Sequence, residues 1–237
     1  MKTNSKTAAK VLLCIGIFAF LALCVTPAYS VTVPGTSDPW LAGMPDGSTA
    51  SKGGGEPYDV APAQSPQLVP ITGGTMLQWS ATGRVGHPGD AAGPDGALTI
   101  SPFTHSTGAE NGISNITSPI NALLGVFLGP SQPSLTSAPG ALDFSLAVDR
   151  NYLELHPLLQ QVFYMGNGLT DGLAIQTIVA PAGATRLFLG TMDGFGWANN
   201  IGAFEVSINP VPEPATMLLL GSGLAGIAAF RRKFRKA

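Results

Sequence analysis

The residues best placed for chemistry are Asp193, Asn199 and Asn200, in the run Asp193-Gly194-Phe195-Gly196-Trp197-Ala198-Asn199-Asn200. One carboxylate and two adjacent carboxamides gather hard oxygen donors, the kind calcium takes from carboxylates, amide carbonyls and backbone. Adjacent side chains point to opposite faces of a flat strand, so both Asn residues reach one ion only across a sharp turn. Gly194 and Gly196 permit that turn because they carry no Cβ. Asp, Asn and Gly also build ordinary hairpins, so a bare turn stands as the alternative. Trp197 can stack on a sugar or plug a core.

Other candidates carry less. His87, His105 and His156 show no spacing that would hold zinc, and they read as surface or loop histidines. Asp143 and Asp149 flank one apolar run and read as solvated strand ends rather than a glycosidase pair. The region between the chain ends has no Gly-x-Ser-x-Gly elbow. Gly221-Ser222-Gly223-Leu224-Ala225-Gly226 matches GxGxxG, but no βαβ unit surrounds it and no acidic residue follows to hold a ribose. Small residues in a membrane helix account for it. The chain therefore reads as a non-enzyme.

The elements that must position the loop are strands. From Met76 onward, apolar or alternating runs occur at Met76–Thr82, Ala97–Ile100, Ala122–Leu128, Leu142–Val148, Leu173–Ala180, Thr185–Gly190 and Ala203–Ile208. Gly, Pro, Asn and Asp separate them, which predicts an all-β sandwich or barrel over residues 76–209. Arg186–Leu189 and Phe204–Ile208 alternate as strands with one wet face. Tyr152–Met165 reads as a loop with a helical turn. Residues 31–75 are rich in Gly, Pro and Ser and sustain no apolar period, which predicts an irregular arm or linker, with an edge strand at Gln67–Ile71 as the alternative.

The two chain ends are sorting segments. Lys2, Lys6 and Lys10 precede the apolar run Val11–Val25, and Ala28-Tyr29-Ser30 offers small residues to signal peptidase. Residues 1–30 thus read as a signal peptide with a helical core, cleaved after Ser30. Both cysteines, Cys14 and Cys24, fall inside it, so the exported chain has no disulfide and no thiolate. At the other end, Pro212, Glu213 and Pro214 precede the uncharged run Ala215–Phe230 and a basic stop that begins at Arg231. As a helix that run reaches about 24 Å. The hydrocarbon core is roughly 30 Å thick, and snorkelling arginines close the gap. Residues 210–237 therefore read as a sorting signal with a transmembrane helix and a basic tail on the cytoplasmic side.

This tail resembles the PEP-CTERM sorting signal of Gram-negative bacteria. The resemblance implies recognition by exosortase, an inner-membrane intermediate, and delivery to the envelope, outer surface or extracellular matrix. Between the ends, only Lys52, Arg84, Arg150 and Arg186 face thirteen carboxylates. So acidic a surface argues against nucleic acid and anionic lipid and suits calcium.

A second resemblance covers roughly Trp79–Ile208. Val179–Gly190 with Asp193…Asn199-Asn200-Ile201-Gly202-Ala203-Phe204, together with Gly89–Leu98 and Ala122–Gly129, is similar to the bacterial calcium-dependent galactose-binding lectins. The likeness is interrupted near Pro130–Gln161. It implies a jelly-roll-like β-sandwich in which sugar hydroxyls ligate calcium directly. It assigns Asp193, Asn199 and Asn200 as side-chain ligands, Gly196 as a carbonyl ligand, and a second carbonyl near Ser80. It also places Pro94 and Asp95 in the loop that borders the sugar. The Asp193-to-Asn199 spacing is one residue shorter than the family's, and Gly93 stands where the family has a sugar-contacting His. The expectation is an exported, non-enzymatic domain with calcium and an extracellular carbohydrate as ligands. A purely structural surface or biofilm-matrix protein is the first alternative, and a secreted hydrolase the second.

Overall fold

Two strands flank the Asp193 loop, and only the second keeps the alternation expected of a strand with one wet face. In β14 (Ile201–Val211) Phe204, Val206 and Ile208 are buried while Glu205 is exposed. In β13 (Arg186–Thr191) every residue after Arg186 is buried, as in a central strand covered on both faces. A computed structural model describes residues 28–211 and Ser222. Ala28–Val211 make one unit of mostly β-structure, in agreement with the all-β expectation.

Two main sheets build it. In the first, β14 lies between β1 (Tyr29–Pro34) and β5 (Met76–Gly86), and β12 (Thr177–Val179) and β10 (Glu154–Leu155) extend the β5 side. In the second, β13 lies between β4 (Gln67–Pro70) and β8 (Leu123–Leu128), with β11 (Val162–Tyr164) beyond β8. Val33, Trp79 and Val206 of the first sheet share one apolar core with Val69, Phe127, Phe163 and Leu187 of the second. Smaller pairings are β2 (Thr49–Ala50) with β3 (Asp59–Val60), and β7 (Ile116–Ser118) between β6 (Phe103–Thr104) and β9 (Leu142–Asp143). The β10–β12 and β7–β9 pairs are parallel.

Residues 31–75 correct the expectation of an arm. β1 pairs with β14 from Tyr29↔Ile208 to Pro34↔Ala203, and β4 pairs with β13. Trp40 is fully buried and donates its indole N–H to the Ser114 carbonyl at 3.0 Å. The Gly and Pro residues of this stretch serve turns between short strands, so composition disguised a packed segment. The edge-strand alternative at Gln67–Ile71 matches β4. The folded unit thus begins well before residue 76, and β1 itself starts at Tyr29, two residues ahead of the expected mature N-terminus.

Three further expectations change. Ala97–Ile100 forms no strand, and Leu98 and Ile100 are about half exposed. Leu142–Val148 splits into β9 and the start of a short helix α1 (Ala147–Arg150). Tyr152–Met165 contains β10 and β11 rather than a helical turn. Among the described residues no helix is long and apolar enough to cross a membrane. The expected signal helix and the C-terminal span lie outside the described residues, apart from Ser222.

Candidate functional site

The loop between β13 and β14 is tied down where it leaves β13. Thr191 donates its hydroxyl to the Gly35 carbonyl at 2.8 Å, and the Met192 N–H bonds the Ala122 carbonyl at 2.8 Å. Gly196 adopts a left-handed conformation (φ 71°) that reverses the chain into a single 3-10 turn, Trp197–Asn199. The Asp59 carboxylate of β3 caps that turn, accepting from Trp197 N at 2.9 Å and Ala198 N at 3.1 Å. Asp59 is therefore a positioning residue for the loop. It lies in the stretch read as an arm, 138 residues from Trp197, and no sequence signal connects the two.

The structure brings Asp193, Asn199, Asn200 and Gly196 into this one loop. Asp193 is 5 % exposed; its Oδ1 accepts from Gly194 N at 2.6 Å and its Oδ2 from Asn200 Nδ2 at 2.9 Å. Asn200 Nδ2 also faces the Gly35 carbonyl at 3.3 Å. Asn200 Oδ1, by contrast, is buried with no hydrogen-bond partner among the described residues, as are side-chain oxygens of Ser37, Asp38, Ser118 and Gln176 elsewhere. Such an orphaned acceptor is rare, because a lost hydrogen bond costs about 1–3 kcal/mol of desolvation. Asn199 is exposed, and its Oδ1 meets His87 Nε2 at 2.8 Å. The same imidazole nitrogen stands 3.9 Å from Asp193 Oδ2, and Nδ1 stands 3.8 Å from Asp90 Oδ2. His87 is thus a neighbour of the site that spacing arguments passed over, and it enters from the end of β5.

The electrostatics favour a cation here. Burial raises the Asp193 carboxyl above its ordinary range, against hydrogen bonds from Asn200 and Gly194 that lower it. Burial also pushes Asp59 up to about 6, helped by repulsion from Asp193 and Glu110. A positive charge beside Asp193 would relieve both. Among the described residues no three His, Asp or Glu side chains group to hold a metal. The donors here are instead one carboxylate, two amides and backbone carbonyls, a hard-oxygen set that suits calcium. The orphaned Asn200 oxygen fits that set.

Other assigned residues lie elsewhere. Ser80 is exposed in β5 opposite Ser207, whereas Gly86 is the β5 residue opposite Ile201 at the loop. Six residues of strand separate them, about 20 Å at 3.3 Å per residue, so Ser80 does not join the site. Trp197 is fully buried, donates to the Thr191 carbonyl at 2.9 Å, and packs 5.6 Å from Trp40. It is a core plug and cannot stack on a sugar. Pro94 is buried and its carbonyl accepts from Leu123 N at 2.8 Å. Asp95 turns to Tyr164 and Asn167, accepting from the Tyr164 hydroxyl at 3.2 Å and Asn167 N at 2.9 Å. Pro212, Glu213 and Pro214 lie outside the described residues.

His105 also departs from expectation. It is buried, stacked 3.5 Å from Trp40, and its Nδ1 donates to the Gly108 carbonyl at 2.7 Å. Nε2 is then the acceptor, 3.0 Å from the Ser51 hydroxyl. Burial lowers His105 to about 4. A serine beside an oriented histidine is the pattern of an activated nucleophile, and Ser51 has a strained φ of 57°. Yet Ser51 is 0 % exposed and its N–H is held by Glu110 at 2.6 Å. This pair is sealed inside the fold, where it ties the Ser51 turn to the His105 loop.

The tail, outside this unit, is assigned by comparison. Residues 210–233 match the PEP-CTERM protein-sorting motif. The chain is an exosortase substrate by its tail. The motif marks an exported protein targeted to the cell envelope, and it covers the tail alone. No curated protein matches the chain.

Proposed function

We propose that the β-domain is a non-enzymatic binding module, carried to the envelope by its PEP-CTERM tail, that holds calcium in the Asp193–Asn200 loop and takes extracellular carbohydrate as its ligand. The observation that carries the calcium reading is the buried, unpartnered Asn200 Oδ1 beside the buried Asp193 carboxylate. Asp193, Asn199, Asn200 and the Gly196 carbonyl would hold the ion. Calcium there would neutralise the crowded carboxylates and fix the connection between β13 and β14. The jelly-roll-like wiring implied by the lectin resemblance belongs to the same reading.

The burial of Asp193 and Asn200 supports a structural ion more than one shared with a sugar. The sealed Ser51–His105 pair is itself closed to any substrate of a hydrolase. Thermal melting with calcium and with chelator tests the calcium claim. An ion that binds only the folded state adds about 2.7 kcal/mol at a hundredfold excess over Kd. Melting should rise with calcium, fall with chelator, and lose most of that response in Asp193→Asn. A melting temperature indifferent to both would favour a bare turn. A purely structural surface or matrix protein would in addition retain no glycan.

A further inference from the structure

A separate cavity of about 150 Å³ opens beside Asp95, lined by Arg150, Asn151, Asn167 and Asp171. It is built from fixed polar groups. Asn167 clamps Asp95, donating from Nδ2 to Oδ2 at 2.8 Å and from its backbone N–H to Oδ1 at 2.9 Å. Asn151 and Asp171 bond reciprocally, with Asn151 Nδ2 on Asp171 Oδ2 at 2.7 Å and Asp171 N on Asn151 Oδ1 at 2.7 Å. Among the described residues Asp171 Oδ1 takes no donor.

Arg150 is the informative member. Its Nη1 donates to the Phe144 and Ser145 carbonyls at 2.6 and 2.8 Å. Among the described residues its Nε and Nη2 hydrogens have no acceptor, and it forms no ion pair with Asp95 or Asp171. A guanidinium with a free fork beside a carboxylate with a free oxygen offers donors and an acceptor together. Vicinal hydroxyls match that combination, since each hydroxyl accepts from one group and donates to the other. Two carboxylates against one guanidinium disfavour an anion.

The rim adds an apolar surface. Leu98, Leu169 and Leu173 line the same cavity. Leu173 is 76 % exposed and sits at φ 64°, a conformation that costs a residue with a Cβ. Its turn is held by Leu173 N on the Thr170 carbonyl at 2.8 Å and by Ala174 N on the Thr170 hydroxyl at 3.0 Å. Strain kept at an exposed apolar side chain points to a use for that side chain. A leucine rim covers the C–H face of a sugar ring while the polar floor takes its hydroxyls.

From these observations we infer that this cavity binds one neutral saccharide unit without calcium. The inference rests on the carbohydrate-binding reading above and moves the sugar away from the Asp193 loop. Full-length protein in a zwitterionic, sugar-free detergent would be titrated with methyl glucoside, methyl galactoside and methyl mannoside. Glucuronate and glycerol serve as comparisons, and every titration is run with calcium and with chelator. At least one methyl glycoside should bind saturably, equally well with chelator, and more tightly than glucuronate or glycerol. Arg150→Met should weaken it tenfold or more. Leu173→Gly relieves the strained φ, so it should melt no lower than wild type yet bind several-fold more weakly. Failure of all three glycosides, preference for glucuronate, or unchanged binding in Leu173→Gly overturns the proposal. Binding abolished by chelator also overturns it and assigns the sugar to the Asp193 loop. Binding that persists in a protein with no calcium response leaves this site standing and removes the calcium reading alone.

Discussion

Asp59→Asn and His105→Gln should tilt the pH dependence of stability in opposite directions. His105 is held at about 4 against an ordinary 6.5. Its contribution is present above the unfolded value and lost as pH falls through the folded one. Asp59 is raised from 3.8 to about 6. Its contribution is present at low pH and lost as pH rises through the folded value. Between about pH 7.5 and 5, linkage makes His105 cost about 2 kcal/mol while Asp59 returns about 1 kcal/mol. Asp59→Asn removes the gain and leaves the loss, so that variant should weaken on acidification. His105→Gln removes the loss, so it should strengthen relative to wild type over the same interval. Asp38 and Asp193 stay raised by burial in both variants, and Asp59→Asn relieves the Asp59 repulsion on them, which widens the difference in the same sense. The two pH responses should therefore differ by about 3 kcal/mol. Urea unfolding at fixed ionic strength measures it, and any constant offset from the substitutions cancels in the pH difference. Two variants whose stabilities track wild type between these pH values would refute the assignment of buried, oppositely shifted groups around the loop.

Other outcomes follow from packing and sorting. Trp197→Ala empties a fully buried site and should cost about 3–5 kcal/mol, read by urea unfolding. Gly202 has φ 79° with the Arg84 carbonyl oxygen against the position a Cβ would take. Gly202→Ala should therefore destabilise by more than about 1 kcal/mol, visible in thermal melting. Removing residues 211–237 should release the protein into the medium, as fractionation of cells and culture fluid would reveal.

Legibility in the sequence followed locality. β13 is an apolar run and β14 an alternating one, each readable within itself, and the loop between them announces its turn through Gly194 and Gly196. Its three oxygen-bearing side chains were therefore readable together. The partners that fix the loop were not. Asp59 reaches Trp197 across the whole domain, and His87 meets Asn199 from 112 residues away. One sequence holds no signal for such pairings. Residues 31–75 misled for a related reason. β1 and β4 borrow their pairing from the distant β14 and β13, β2 and β3 are two residues each, and the intervening Gly and Pro residues dominate composition. Trp197 could serve a sugar or a core from sequence alone, and the Trp40–His105 stack beneath it decides for the core. Ser80, inferred from the lectin resemblance alone, stands opposite Ser207, well up β5 from the loop.

Calcium stoichiometry tests the central claim most directly. Equilibrium dialysis of the purified protein against radioactive calcium should yield one ion per chain for wild type and for His87→Ala, since His87 contributes no oxygen. Asp193→Asn should yield none. Wild-type protein that retains no calcium above the dialysis buffer would contradict the account, and so would an ion that depends on His87 and survives Asp193→Asn.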